Sequence, residues 1–310
     1  MIKEIKEIPE KALKVLKSTQ KLVLPTGVPY LGMGSSYFTT LALYYQGIDI
    51  KPETASTYYN YLRKNMSNEL GVLISQSGKS SEVLWCAKLF HEYIAITNFA
   101  KSELASFDSV KRIVELKAGS EAFSSTKTYI NTLIALYNGH KIDPSPAVDK
   151  LMTNMKDYER WGKEAAEVLF KLITDGRYKG FYVIGNGPNL ATAYKAALTM
   201  TEMTKYPTHG MSVSSYDHGP KESAKGSAII VIKSDGPSYR RTSQLFKLVD
   251  KAGAEVVYLE ADDVPEYLSP ITSAVPLFFM SYYLAENLHV KKAFEVGEKV
   301  TEGKKPKRDS

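Results

Sequence analysis

Ser75-Gln76-Ser77-Gly78-Lys79-Ser80-Ser81 lies between the apolar run Gly71-Val72-Leu73-Ile74 and the stretch Glu82-Val83-Leu84-Trp85, which reads as a helix. The first amides of a helix lack internal partners and its dipole favours negative charge there, so serine hydroxyls gathered at that point can receive an anion. Gly78 lets the backbone bend closely around a ligand. Serine is equally suited to capping a helix, and this segment alone leaves both readings open. A second cluster, Ser124-Ser125-Thr126-Lys127, precedes the helical stretch Tyr129-Ile130-Asn131-Thr132-Leu133 and presents the same choice between anion site and cap.

Two further residues suit proton transfer. Glu202 stands among small and apolar neighbours in KAALTMTEMTKY (residues 195–206), and a carboxylate drawn into apolar surroundings becomes a more effective general base. His218 sits in the turn Tyr216-Asp217-His218-Gly219-Pro220, where Asp217 is placed to orient the imidazole. The histidines at 91, 140, 209 and 289 show no metal-ligand spacing, so no metal is expected, and proton transfer by Glu202 needs no organic cofactor.

The elements that must hold these residues recur. VPYLG (residues 28–32) ends at the turn Gly32-Met33-Gly34-Ser35-Ser36 and passes into an amphipathic stretch; FYVIG (residues 181–185) ends at Gly185-Asn186-Gly187-Pro188-Asn189 and does likewise. Each half then offers a strand ending in a polar turn, at Ser75 and at Ser234, and a third strand, near Ile96 and near Tyr258. The glycine turn and polar turn are about 44 residues apart in one half and about 49 in the other, which fits a βαβ unit with an added segment. Alternating strands and helices predict parallel sheets covered on both faces, with ligands beyond the carboxyl ends of the strands. The linker NGHKIDPSPAVDK (residues 138–150) places the boundary near Pro146, giving domains 1–146 and 147–310, the second opening with a helix from Val148 to Thr174. Neither glycine turn completes a GxGxxG fingerprint, because Tyr37 and Leu190 occupy the third position, so a dinucleotide is disfavoured.

The 310 residues suffice for two ordinary domains, and 44% hydrophobic with 24% charged residues is a globular balance. Lys304, Lys305, Lys307 and Arg308 supply much of the formal charge of +6, leaving a mildly basic body suited to an anionic substrate; no nucleic-acid partner is expected. Cys86 is the only cysteine, which excludes an internal disulfide. With no signal-peptide pattern at the start and no uninterrupted apolar run of about 18 residues, no membrane association is expected and the location expected is cytoplasmic.

Taken together, GMGSSY, ETASTYYNY, SQSGKSSEV, ITNFAKSELA, AGSEAFSSTKTY, GNGPNLATAYKAAL and DHGP resemble the sugar isomerase (SIS) family over nearly the whole chain. Within it they resemble the isomerase part of glucosamine 6-phosphate synthase and the related stand-alone deaminases. The resemblance implies an α/β fold of two SIS subdomains, each a parallel sheet flanked by helices in a flavodoxin-like three-layer sandwich. It implies that Ser75, Gln76, Ser77 and Ser80 hold the phosphate of a hexose 6-phosphate or amino-sugar phosphate, and that Ser35, Ser36, Phe123 and Ser125 line the sugar. Glu202 would move a proton between C1 and C2, and His218 would assist ring opening in the site of a neighbouring subunit, which implies a homodimer with a shared active site. Three departures stand out: Thr199 replaces a family lysine three residues before the glutamate, Asp217 replaces another before HGP, and the C-terminal catalytic lysine has only Lys299 as an equivalent. The chain starts at the SIS opening with no glutaminase part, so breakdown of glucosamine 6-phosphate to fructose 6-phosphate and ammonia is the expected direction. A deglycase of fructosamine 6-phosphates, or a sugar-phosphate-binding protein without turnover, would use the same residues.

Overall fold

The computed structural model describes residues 1–65 and 68–296; Lys299 and the basic tail lie outside them. The first half runs α1 (Ile2–Lys6), α2 (Ile8–Thr19), β1 (Pro29–Gly32), α3 (Ser35–Tyr44), β2 (Lys51–Thr54), α4 (Ala55–Thr57), β3 (Leu70–Ile74), α5 (Ser81–Ala87), β4 (Glu92–Thr97), β5 (Val110–Glu115) and α6 (Lys127–Gly139). The second runs α7 (Ser145–Thr174), β6 (Gly180–Ile184), α8 (Asn189–Thr204), β7 (Thr208–Met211), α9 (Val213–Asp217), β8 (Ser227–Lys233), α10 (Tyr239–Lys251), β9 (Glu255–Glu260) and α11 (Ser269–Asn287).

These strands form two parallel sheets, ordered β2-β1-β3-β4-β5 and β7-β6-β8-β9. Side chains on a strand alternate between faces, so a strand buried on both sides must be apolar throughout. In β3, Val72 and Ile74 enter one core while Leu73 enters another; in β8, Ile230 and Ile232 divide from Ile229 and Val231 in the same way. Both sheets are therefore covered on both faces, the α/β architecture expected from the sequence.

The repeated glycine turns have a shared physical cause. A Cβ at Gly32 would lie 2.9 Å from the Ser36 backbone, and one at Gly185 would lie 2.2 Å from the Asn189 carbonyl, so only glycine lets the helix start this close to the strand. Gly34 and Gly187 both take positive φ, 49° and 50°.

The two halves share long helices. Val148 and Leu151 of α7 pack in the first-half core and Ala165 and Leu169 in the second; in α11, Ile271 and Phe278 join the first while Leu277 and Leu284 join the second. Pro146 is the second residue of α7. The segment Glu266–Asn287 is long and apolar enough to cross a membrane, yet 89% of its most apolar window is buried inside the protein, which makes it a core helix here.

Candidate active site

In each sheet the chain reverses direction beside its first strand, and the crevice at the carboxyl ends of the strands flanking that point is where such folds receive ligands. For the first sheet those strands are β1 and β3, followed by the turns carrying Ser35 and Ser36 and by Ser75–Ser80.

Ser75 is buried, and its hydroxyl lies 3.1 Å from that of Ser80. Ser80 is the N-cap of α5, but its side chain makes no capping bond; its hydroxyl faces Ser75 instead. Ser77 Oγ accepts from the Lys79 amide at 3.2 Å. Gly78 adopts φ 62°, and a Cβ there would fall 2.1 Å from Ser102 Oγ, so any side chain would push the loop off its seat. The half-buried Gln76 is held through its carbonyl, which accepts from the Asn98 amide at 3.1 Å.

Asn98 carries the arrangement onward. Its side chain donates to Gly119 O at 2.6 Å and accepts from the Ala118 amide at 2.8 Å, joining the serine loop to the segment before α6. That segment is anchored from outside by α1, where Glu4 accepts from the Ala122 amide at 2.8 Å. The α6 N-terminus is already filled by an internal anion: Glu121 accepts from the amides of Thr126 (2.6 Å) and Thr128 (3.2 Å) and from both hydroxyls. Lys127 points away, its buried amine pairing with Glu7 at 2.7 Å, and the cap of α6 is Glu121 rather than the hydroxyl cluster itself. The hydrogen bond from Lys127 holds the Glu7 carboxyl below its usual range.

Ser124 of the same segment turns toward α8. Ser124 Oγ lies 3.3 Å from Thr199 Oγ1 and accepts from Lys195 Nζ at 3.2 Å. The buried hydroxyl of Ser125 has no hydrogen-bond partner among the described residues. Phe123 is half-buried, with Lys205 Nζ 5.2 Å over its ring and Phe294 edge-on at 5.0 Å. Lys205 also donates to Glu202 O and Ala293 O, each at 2.6 Å, which fixes the end of α8 beneath Phe123. Glu202 is half-buried on this helix. From the other side, Phe38 of α3 stacks on Tyr194 of α8 at 5.5 Å, so Ser35 and Ser36 begin a helix seated on the one that bears Glu202.

Not all of the expected residues converge. His218 is exposed at the end of α9, and no hydrogen bond joins its side chain to the others among the described residues. The expectation that Asp217 orients it is overturned: the Asp217 carboxylate is taken by Lys221 at 2.9 Å and Arg241 at 3.3 Å, and these cations hold its carboxyl below the usual range. Lys195 was missed altogether. Its signal is legible in hindsight, an amine two helical turns before Glu202 among alanines and leucine, hence on the same face.

No family model matches the chain. Glutamine–fructose-6-phosphate aminotransferase (isomerizing) of Pyrococcus horikoshii is 25% identical over 91% of this chain and 51% of its own length. The chain thus spans about half the length of the curated relatives it matches. Among solved structures, the C-terminal domain of glucosamine-fructose-6-phosphate aminotransferase from Francisella tularensis superposes with a TM-score of 0.78 at 20% identity, covering 93% of this chain and 96% of that one. Glucosamine-6-phosphate deaminase from Thermotoga maritima gives 0.73 at 21% identity, with 92% and 94% covered. The structures share the fold and the aminotransferases share the sequence pattern, and together they support assigning the chain to the sugar isomerase (SIS) family.

Proposed function

We propose that the protein is a phosphosugar aldose-ketose isomerase and deaminase that converts glucosamine 6-phosphate and water to fructose 6-phosphate and ammonia. One observation carries this reading: through Asn98 and Ser124, the serine loop, the Phe123–Ser125 segment and the Glu202 helix form one connected unit. Ser75, Gln76, Ser77 and Ser80 bind the phosphate. Ser35, Ser36, Phe123 and Ser125 line the sugar, whose hydroxyls give the buried Ser125 group the partner it otherwise lacks. In the open-chain aldehyde, Glu202 removes the C2 proton and returns it to C1. The aldose becomes the fructose imine, and water releases ammonia. The whole-length likeness to the Thermotoga maritima deaminase favours this direction.

His218, exposed and without a side-chain hydrogen bond among the described residues, completes the site of a second copy in a homodimer and assists ring opening there. Lys299 supplies the remaining amine, and the enzyme works in the cytoplasm. Ammonia release from glucosamine 6-phosphate by the purified protein is the test. Release of an amine from a fructosamine 6-phosphate, with none from glucosamine 6-phosphate, replaces the substrate. Replacing Glu202 by Gln lowers the rate at least about 100-fold, as for loss of a general base, and near-normal turnover removes its assigned role.

A further inference from the structure

Lys195 is wholly buried, yet among the described residues its amine has a single hydrogen bond, to Ser124. Burying an ammonium is costly unless its charge is met, because three donors leave water together. What surrounds this one is unusual for a structural lysine. The rings of Phe278 from α11 and Tyr129 from α6 lie 5.4 and 6.0 Å from Nζ, offering their negative faces. The opposite charges that act on it are Glu202 of its own helix and Glu121 of the segment before α6. Neither bonds to it directly. Thr199 shares the hydroxyl of Ser124, and the neighbouring Lys127 is committed to Glu7.

We propose that Lys195 is a positioning residue of the sugar site, an inference that rests on the function proposed above: its ammonium binds Ser124 and locks the Phe123–Ser125 segment of the first half onto the Glu202 helix of the second. Losing the proton weakens that hydrogen bond and abolishes the attraction to the two rings and two carboxylates, so the lock loosens. Burial brings the amine down to about 8, within reach of an ordinary pH series. The phosphate loop lies on a different strand and keeps its grip when the lock opens. Sugar recognition, rather than phosphate recognition, is therefore what responds to alkali.

The test measures binding of fructose 6-phosphate and of inorganic phosphate, with turnover of glucosamine 6-phosphate alongside, for the full chain and the variants Lys195→Met and Lys195→Arg. In the unaltered protein, affinity for fructose 6-phosphate falls about fivefold or more from about pH 7.5 to about pH 9.5, while that for phosphate stays nearly level. Lys195→Met binds the sugar phosphate weakly at both ends of the series and phosphate normally, with kcat lowered more than KM is raised. Lys195→Arg keeps its charge throughout and restores sugar binding without the alkaline fall. A Met variant that keeps the alkaline fall, or that binds fructose 6-phosphate as the parent does, overturns the role of Lys195. Should the Arg variant misfold, the pH series of the Met variant, folded by its thermal transition, decides alone. If the parent binds with the expected pH dependence but turns nothing over, the reaction proposed above fails and the lock stands. A parent that does not bind fructose 6-phosphate overturns both.

Discussion

At the first sheet's crevice, between β1 and β3, Ser75 and Ser80 turn their hydroxyls toward each other; at the second sheet's crevice, between β6 and β8, the matching polar turn begins at Ser234, whose hydroxyl donates to the Glu266 carboxylate at 2.8 Å. Glu266 comes from the short turn just before α11 and reaches so far into this second crevice that a Cβ at Gly236 would fall 2.2 Å from its carboxyl. One at Gly187 would approach it to 4.0 Å. The two crevices have the same strand order and the same glycine turns. In the second, a side chain of the protein itself takes the place an anionic ligand would use, while among the described residues no carboxylate bonds to Ser75, Ser77 or Ser80. Equivalent folds thus carry crevices of unequal chemistry, and the difference lies in their side chains.

The largest effect sharpens the comparison through charge. The second crevice meets its half-buried anion with Ser234, whereas the buried cation Lys195 is met by the hydroxyl of Ser124 and two aromatic rings. Below about pH 8 the folded protein bears the full penalty of burying that ammonium; from there to the ordinary lysine value of 10.5 the unfolded chain stays protonated while the folded one does not. Stability therefore rises with pH across this window, by roughly 3 kcal/mol. Urea titrations at several pH values measure the rise, and Lys195→Met should flatten it and be more stable near neutrality.

Next come the hydroxyls themselves. Under the proposed function, the double replacement Ser75→Ala with Ser80→Ala removes two bonds to a charged ligand, and sugar-phosphate binding should weaken about 100-fold or more by calorimetry. Ser234→Ala leaves that affinity within about twofold, because its hydroxyl serves Glu266. Equal losses from the two crevices would break the comparison. A smaller effect follows from Gly78→Ala, which forces a Cβ against Ser102 at positive φ and costs roughly 1–3 kcal/mol of stability with a parallel loss of affinity. Smallest is Glu266→Ala: it leaves Ser234 without its acceptor, costs about 1 kcal/mol in thermal unfolding, and exposes a weak phosphate site in the second crevice that titration can detect. That site would adjoin the cavity of about 660 Å³ lined by Gln46, Pro188 and Tyr267.

Much of the first crevice was legible beforehand. Ser75–Ser80 follows a strand whose apolar run had to be buried, so its place at the end of β3 came with the strand. The α6 cluster was harder, since a serine-rich helix start reads the same whether it receives a ligand or a neighbouring glutamate, and Glu121 fills it from five and seven residues away. Lys195 escaped because a lone lysine on a helix is ordinarily solvated, and the residue that bonds it, Ser124, is 71 positions distant.

By itself the amino-acid sequence determined the two parallel sheets, the paired glycine turns and the serine loop, because these follow from local rules: apolar strands need both faces covered, and a helix starting tight against a strand needs glycine. The tertiary structure decided where each charge went. Glu266 entered one crevice from 32 residues away, Lys195 was drawn to Ser124 of the other half, Asp217 went to Lys221 and Arg241, and α11 was shared between both cores. Such pairings depend on distances through space that arise only once the strands are ordered and the helices packed, and the strength of each follows from the burial it meets there.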